Sequence, residues 1–199
     1  KVVVNHITSN LLNSLLNPNY EIPETKYGRS DTHILKFKIY FGKDENWEFS
    51  RFFRVYSPSL EKAKFELKNM CVLYSNSVVG CIGNETHIQI PDTATAIAIA
   101  AFQDNSTIQS VTMGPKVKMI SWSAFENCTS LTSVELPQKI NRIEGEVFRN
   151  CSSLQSITIP NTVEEICFYA FEKCTSLTSI IIPNSVKCIE DAAFSTCIK

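Results

Sequence analysis

The sequence predicts an α/β-type solenoid, in which short coils stack and contribute short strands to a parallel sheet, preceded by a small α+β region. Three segments, residues 123–137, 146–160 and 169–183, align without a gap. A phenylalanine recurs every 23 residues, and several aliphatic positions keep the same period. One coil of this length cannot bury its own apolar side chains, whereas stacked coils join them into one continuous core.

Residues 1–85 do not follow this period and are predicted to form the α+β region. An apolar face over residues 7–16 predicts a helix. Alternation over residues 35–41 predicts a half-buried strand, with residues 47–56 as its hairpin partner. Residues 59–72 fit a helix and a strand equally well. We favour a cap on the first coil over a separate domain with its own partner, because the end of a solenoid needs a cover.

Residues 86–199 are predicted to form five 23-residue coils, of which the last is incomplete. In each unit Leu-x-x-Ile-x-Ile runs up to a proline, and its last three positions predict a short strand with two inward side chains. The proline ends the strand because it has no N–H to donate. Val-x-x-Ile then turns the chain, and Ala-Phe with a polar stretch closes the coil. The aligned phenylalanines are Phe102, Phe125, Phe148, Phe171 and Phe194.

Four of the eight cysteines share the period, three residues after a phenylalanine: Cys128, Cys151, Cys174 and Cys197. They are predicted to be small buried side chains with weak S–H hydrogen bonds, forming a ladder through the stack. A ladder is linear, whereas zinc needs ligands that converge on one point, so we expect no metal.

The state of the other four cysteines stays open: Cys71, Cys81, Cys167 and Cys188. Thiols are the default for all four. Cys71 and Cys81 flank a predicted turn, and a disulfide between them is the alternative if the chain is secreted. Cys167 and Cys188 fall in adjacent coils but two columns apart, so a bridge there would bend the coil.

Composition and motifs narrow the class of function. The formal net charge of −1 gives no electrostatic basis for binding nucleic acid or an anionic membrane. No apolar run approaches the roughly 18 residues that a membrane span needs. The three histidines lie in no hydrolase or metal motif, and no glycine-rich phosphate loop is present. We therefore expect neither an enzyme nor a cofactor.

The pattern C-x-x-L-x-x-I-x-I-P-x-x-V-x-x-I-x-x-x-A-F resembles the BspA-like, or Treponema-type, leucine-rich repeat over about residues 86–199. Asn105 at the cysteine position and Gly114 at the proline position depart from it. The resemblance implies a leucine-rich-repeat coil stack in a cell-surface or secreted protein of a mucosal microbe. It also implies a non-enzymatic binding module for adhesion or recognition. An intracellular, cytoplasmic protein–protein interaction scaffold is the alternative, which unbridged cysteines would favour.

Solenoids bind through the face that their strands expose, which strand alternation identifies. One predicted column of this face holds His87, Ser110, Ser133, Ser156 and Ser179. The other holds Gln89, Thr112, Glu135, Thr158 and Ile181. Such a small, polar surface suits hydrogen bonding to a protein or glycan better than a deep small-molecule pocket. Serine and threonine also suit exposed strands that bind nothing.

Two further expectations concern the surface and the end of the chain. Asn-x-Ser/Thr sequences begin at Asn84, Asn105, Asn127 and Asn150, and three of them lie at the repeat's own turn, where the backbone also favours asparagine. The next leucine of the register would be residue 200, so the last coil lacks its own strand. We expect either that the sequence is a trimmed product or that the open ends of two copies associate.

Overall fold

The computed structural model describes residues 32–39, 49–56, 65–68, 71–74, 76–81 and 85–197. Within these ranges the secondary structure consists of fourteen β-strands and turns, without an α-helix. These residues therefore contain no helix that could cross a bilayer. The helical face predicted over residues 7–16 lies outside them.

The first strands confirm the predicted hairpin. β1 (Thr32–Ile39) pairs antiparallel with β2 (Phe49–Tyr56), and Thr32 lies opposite Tyr56. The segment that fitted helix and strand equally well contains β3 (Phe65–Lys68), which pairs antiparallel with β4 (Cys71–Tyr74). The strand alternative is therefore correct for residues 65–68.

The predicted parallel sheet is present, with one short strand from each coil. Its strands are β6 (His87–Gln89), β8 (Ser110–Thr112), β10 (Ser133–Glu135) and β12 (Ser156–Ile157). They pair in that order at an offset of 23 residues, and Thr158 continues the pattern with a bridge to Ile181. Each strand begins one residue earlier than predicted, because the outward residue before the first inward side chain also pairs with the neighbouring coil. The solenoid prediction is confirmed.

A second set of parallel strands forms where the sequence predicted only a turn. These strands are β7 (Ala96–Ile97), β9 (Met119–Ile120), β11 (Arg142–Ile143), β13 (Glu165–Ile166) and β14 (Cys188–Ile189). The isoleucine of Val-x-x-Ile is buried in the first four of these strands, at Ile97, Ile120, Ile143 and Ile166, whereas Ile189 in the last is 48% exposed. Two residues are too few for alternation to show in the sequence, which is why the strands were missed.

The N-terminal strands extend this second set at the first coil. β5 (Ser77–Cys81) pairs antiparallel with β4 and parallel with β7, where Ser77 lies opposite Ala96. The sheet order is β3-β4-β5-β7-β9. Three strands from the N-terminal region thus continue the sheet beyond the first coil, which supports our proposal that this part of the region caps the stack.

The repeated phenylalanines form the axis of the core. Neighbouring rings from Phe102 to Phe194 lie 5.1, 5.7, 5.4 and 5.2 Å apart between centroids, in nearly parallel planes. The rings of Phe125, Phe148 and Phe171 are fully buried. Because each ring contacts the next coil's ring, the apolar columns hold adjacent coils together as well as closing each coil.

Each coil also turns through two residues in the left-handed backbone region. The first such column has φ between 53° and 59° and holds Ala100, Ser123, Glu146, Tyr169 and Ala192. The second has φ between 55° and 61° and holds Asp104, Asn127, Asn150, Lys173 and Thr196. The prediction that asparagine is favoured at the turn for backbone reasons is confirmed at Asn127 and Asn150, because asparagine tolerates this conformation.

Gly114 occupies the position of the strand-end proline for a steric reason. A Cβ atom at residue 114 would lie 2.8 Å from the carbonyl oxygen of Pro91 and 3.2 Å from Cα of Asp92. We therefore expect Gly114→Ala to lower the free energy of unfolding by about 1–3 kcal/mol, since backbone must move to admit the methyl group. Urea denaturation measures this, with Gly145→Ala as the control.

At Gly145 the added methyl group would meet the Phe168 ring at 3.2 Å, and a side chain can move more easily than backbone. Gly145→Ala should therefore cost less than Gly114→Ala. Equal losses, or a stable Gly114→Ala variant, would contradict the steric account.

Candidate binding surface

The two predicted ligand columns lie on the outer face of the β6-β8-β10-β12 sheet. In the first column His87, Ser110, Ser133 and Ser156 are register partners, one per coil. In the second, Gln89, Thr112 and Glu135 are partners, and Thr158 bridges to Ile181. All these side chains and Ser179 are exposed except Ser110, which is half-buried. We call these ten residues the strand face.

The strand face is rigid because the residues between its columns are core residues. Ile88, Val111, Val134 and Ile157 alternate with the exposed positions and are at most 7% exposed. His87 Nδ1 lies 2.6 Å from Ser110 Oγ, so these two groups hydrogen-bond to each other. Glu135 is the only carboxylate among the ten residues. The face therefore presents six hydroxyl groups and one amide, that of Gln89, with little charge, which suits an extended polar ligand.

The cysteine ladder is a structural element beside the phenylalanine stack. Cys128, Cys151 and Cys174 donate S–H hydrogen bonds of 3.1, 3.2 and 3.1 Å to carbonyl oxygens of the preceding coil. Cys197 makes the same contact with Phe171 O. Burial raises the pKa of Cys151 well above its ordinary value. Cys151 therefore stays protonated at neutral pH and lacks the thiolate that a nucleophile or a metal ligand needs.

Asn105 takes the ladder position in the first coil and is buried there. Its Oδ1 accepts hydrogen bonds from the backbone N–H groups of Thr107 and Ile108, at 3.0 and 3.3 Å, and from the Thr107 hydroxyl. Its amide is therefore inaccessible to a glycan in the folded chain. Asn150 Nδ2 donates to Asn127 Oδ1 at 3.0 Å, so these two asparagines also make structural contacts. Asn84 lies outside the described residues.

Cys71 and Cys81 are opposite each other on β4 and β5, and both are buried. Cα atoms at such positions are about 4.5–5.5 Å apart in antiparallel pairs, a separation that a disulfide can span. A bridge between them remains a hypothesis. Burial, with a smaller contribution from Cys81, raises the pKa of Cys71.

Cys167 and Cys188 are displaced from each other as the repeat register predicts. Cys188 is exposed and lies opposite Glu165, two residues before Cys167. Cys167 instead accepts a hydrogen bond from Arg142, with Nε 2.9 Å from Sγ. Burial raises the pKa of Cys167 to about 11, and the contact with Arg142 opposes this rise.

A group of acidic side chains converges on Arg142. Ligand atoms of Glu165, Cys167 and Glu190 lie within 4.8 Å of one another, which resembles a metal site. The Arg142 guanidinium lies among them, 3.1 Å from Glu165 and 3.8 Å from Glu190. The arginine therefore places one positive charge within this group. Glu165 and Glu190 reach Arg142 from the next two coils of the stack.

The sequence interpretation missed an exposed aromatic cluster on the side of the stack that carries the second set of strands. Trp122, Phe168 and Tyr169 form this cluster, in which the Trp122 and Phe168 rings lie 4.9 Å apart. Trp122 and Phe168 occupy the same column two coils apart, with Gly145 between them. Large aromatic residues in an outward column with a glycine between them were the signal available in the sequence.

Comparisons with known proteins agree with this architecture. The BspA type leucine-rich repeat region matches six times over residues 73–199. A leucine-rich repeat protein of T. pallidum is 27% identical, with a TM-score of 0.60. A leucine-rich cell-surface protein of Faecalibacterium prausnitzii is 31% identical, with a TM-score of 0.60, and a leucine-rich repeat protein of Bacteroides ovatus is 27% identical, with a TM-score of 0.59. No curated protein matches significantly.

These matches cover a larger share of this chain than of any of the three relatives. They span 70%, 70% and 71% of this chain, and 66%, 37% and 39% of the three proteins in the same order. The repeat match takes in more than half of the sequence and reaches back into β4, ahead of the first repeat that the sequence alone revealed. The chain belongs to the BspA-type leucine-rich repeat family.

Proposed function

We propose that this chain is a non-enzymatic module that recognises a protein or a glycan through the strand face, in adhesion or recognition at a microbial cell surface. The observation that carries this proposal is the registered pair of exposed polar columns on a rigid stack. Its serine hydroxyl groups repeat at one strand spacing, which matches an extended ligand with repeating hydrogen-bonding groups. Leucine-rich repeat scaffolds generally bind protein partners, and one of the similar structures is a cell-surface protein.

An array of glycans and extracellular-matrix proteins tests this proposal. The informative variant carries Ser133→Arg and Ser156→Arg, which place two large charges on register partners of the strand face. We expect these two substitutions to weaken the binding of any ligand specific to the strand face by about tenfold or more. The added charge and bulk oppose a close polar contact. The matched control carries Asn161→Arg and Asn184→Arg, also exposed and one coil apart, but at the proline turns. Equal binding by the two double variants would contradict the proposal.

The alternative is an intracellular interaction scaffold on the same solenoid. The S–H hydrogen bonds from Cys151 and Cys174 to backbone carbonyls favour it, because they require reduced sulfur. Thiol counting after unfolding without reductant separates the two proposals. Eight reactive thiols would favour the intracellular scaffold, and six would indicate one disulfide and a secreted module. End-to-end association of two copies remains a prediction.

A further inference from the structure

The aromatic cluster of Trp122, Phe168 and Tyr169 is not required by the repeat. Trp122 is 42% exposed and Tyr169 is 38% exposed, so neither ring is a core residue. The Trp122 and Phe168 planes cross at 75°, and those of Phe168 and Tyr169 at 88°, with centroids 4.9 and 5.7 Å apart. The cluster is therefore continuous along the stack and remains open to solvent.

Gly145 makes the contact between Trp122 and Phe168 possible. The residue type in the outward column that contains them differs from coil to coil: Ile99, Trp122, Gly145, Phe168 and Asp191. A side chain at residue 145 would occupy the space where the rings meet, since even a Cβ atom would lie 3.2 Å from Phe168 Cζ. The missing side chain thus lets residues two coils apart form one surface.

Excess negative charge lies on one side of the aromatic cluster. The Arg142 guanidinium lies 3.4, 3.1 and 3.8 Å from carboxylate oxygens of Glu144, Glu165 and Glu190. Three carboxylates around one guanidinium leave an excess of two negative charges. Trp122 Nε1 donates to Glu144 Oε2 at 2.9 Å, and the Phe168 backbone N–H donates to Glu190 Oε2 at 2.9 Å. The carboxylates are therefore joined directly to the aromatic residues.

A second acidic group lies on the other side of the cluster. Arg149 is 3.7, 3.1 and 2.6 Å from carboxylate oxygens of Glu126, Glu146 and Glu172. Lys173 contacts Glu172 at 3.4 Å, which leaves three carboxylates for two cations. The Arg149 guanidinium also lies over the Tyr169 ring, 5.5 Å from its centroid. The chain itself therefore already places a cation on one ring of the cluster.

We propose that this aromatic cluster and its acidic rim form a second binding surface, which takes lysine or arginine side chains of an extended basic segment in a protein partner. A cation over the exposed Trp122 ring is attracted by the ring's quadrupole, and the surplus carboxylates add charge complementarity. Ile99, one coil before Trp122, is 40% exposed, and Met119, three residues before Trp122, is 49% exposed. Both offer apolar contact for the alkyl stems of lysine or arginine side chains. This surface is distinct from the strand face and goes beyond the function proposed for it.

The charge distribution favours a basic protein segment over a neutral ligand. The whole chain has a formal net charge of −1, whereas these two groups alone carry an excess of three negative charges. Tryptophan, tyrosine and arginine, which line this surface, are also the residues enriched at the energetic centres of protein interfaces. Carboxylates also accept hydrogen bonds from sugar hydroxyls, but the unbalanced negative charge adds attraction only for a cationic ligand.

The test uses the indole N–H signals of the 15N-labelled protein, which contains two tryptophans, Trp47 and Trp122. Trp47→Phe assigns the two signals. The probe is an acetylated ten-residue peptide that alternates lysine and serine, and the comparison peptide alternates glutamate and serine. We expect the lysine peptide to shift the Trp122 signal saturably and the glutamate peptide to leave it in place. The affinity should fall as salt rises, since the contact is between exposed charges.

Three variants locate the contact. Trp122→Leu should weaken lysine-peptide binding, followed by fluorescence anisotropy, by about tenfold. Glu144→Gln should weaken it about threefold, and Glu135→Gln, which removes the same charge from the strand face, should leave it unchanged. The thermal unfolding midpoint of each variant shows whether it folds. The proposal is overturned if the lysine peptide does not bind, if Glu135→Gln weakens it as much as Glu144→Gln, or if a neutral oligosaccharide alone shifts the Trp122 signal.

Discussion

Phe148→Ala is expected to lower the free energy of unfolding by about 3–5 kcal/mol, the largest loss from any single truncation in the stack. Its ring is fully buried and lies 5.7 Å from Phe125 and 5.4 Å from Phe171 between centroids. Removing it leaves a cavity in the middle of the solenoid, and the rings above and below each lose a partner. Urea denaturation followed by circular dichroism measures the loss.

Phe194→Ala is the matched control, because it truncates the same residue type at the end of the same stack. Phe194 is only partly buried and, among the described residues, has one ring neighbour, Phe171, at 5.2 Å. Its loss should therefore be clearly smaller than that of Phe148→Ala. If both truncations cost the same, the stack would not hold adjacent coils together in the way that the ring contacts indicate.

Alkaline pH is expected to destabilise the solenoid through three of its buried thiols. Burial raises the pKa values of Cys71, Cys151 and Cys167 in the folded chain, in the last case to about 11. An unfolded cysteine has a pKa of about 8.5, so the unfolded chain loses these protons first as the pH rises. The stabilisation is complete below about pH 8.5 and is lost progressively above it, by about 1.4 kcal/mol per pH unit for each thiol.

Two buried alanine substitutions separate the thiols from other alkaline effects. Cys151→Ala should reduce the slope of unfolding free energy against pH, between about pH 9 and 10.5, by about 1.4 kcal/mol per unit. Val147→Ala removes a buried side chain that does not titrate, so it should lower the stability at every pH and leave the slope unchanged. Urea denaturation at four pH values measures both. Parallel curves for Cys151→Ala and the parent chain would show that this thiol does not contribute.

The period of 23 residues was sufficient to predict what every coil shares. Phe125 and Phe148, or Ser133 and Ser156, occupy the same site in successive coils, so aligning the sequence also aligned the structure. The exposed columns followed from strand alternation alone. Features that recur in each unit are visible in a single sequence because the repeat supplies its own comparison.

Features that join different columns or skip a coil could not be predicted in the same way. Arg142 draws in Glu165 and Glu190 from the next two coils, through long side chains whose direction the sequence does not specify. Trp122 meets Phe168 only because residue 145 lacks a side chain. The two-residue strands were missed because pairing between neighbouring coils, and not a local pattern, makes them extended.

Each coil turns at two left-handed residues, which we call its corners. The backbone conformation at these corners does not depend on which side chains the coil carries there. The first corner accepts alanine, serine, glutamate and tyrosine at the same φ, because the backbone hydrogen bonds to the next coil fix the geometry whatever the side chain is. The second corner makes the same kind of backbone hydrogen bond in successive coils. Asn127 N–H donates to Arg149 O at 2.8 Å, and Asn150 N–H donates to Glu172 O at 2.7 Å. One frame of this kind can therefore carry many different surfaces. A partner can be gained or exchanged by changing the residues at a few corners and outward columns, while the scaffold that presents them is inherited intact.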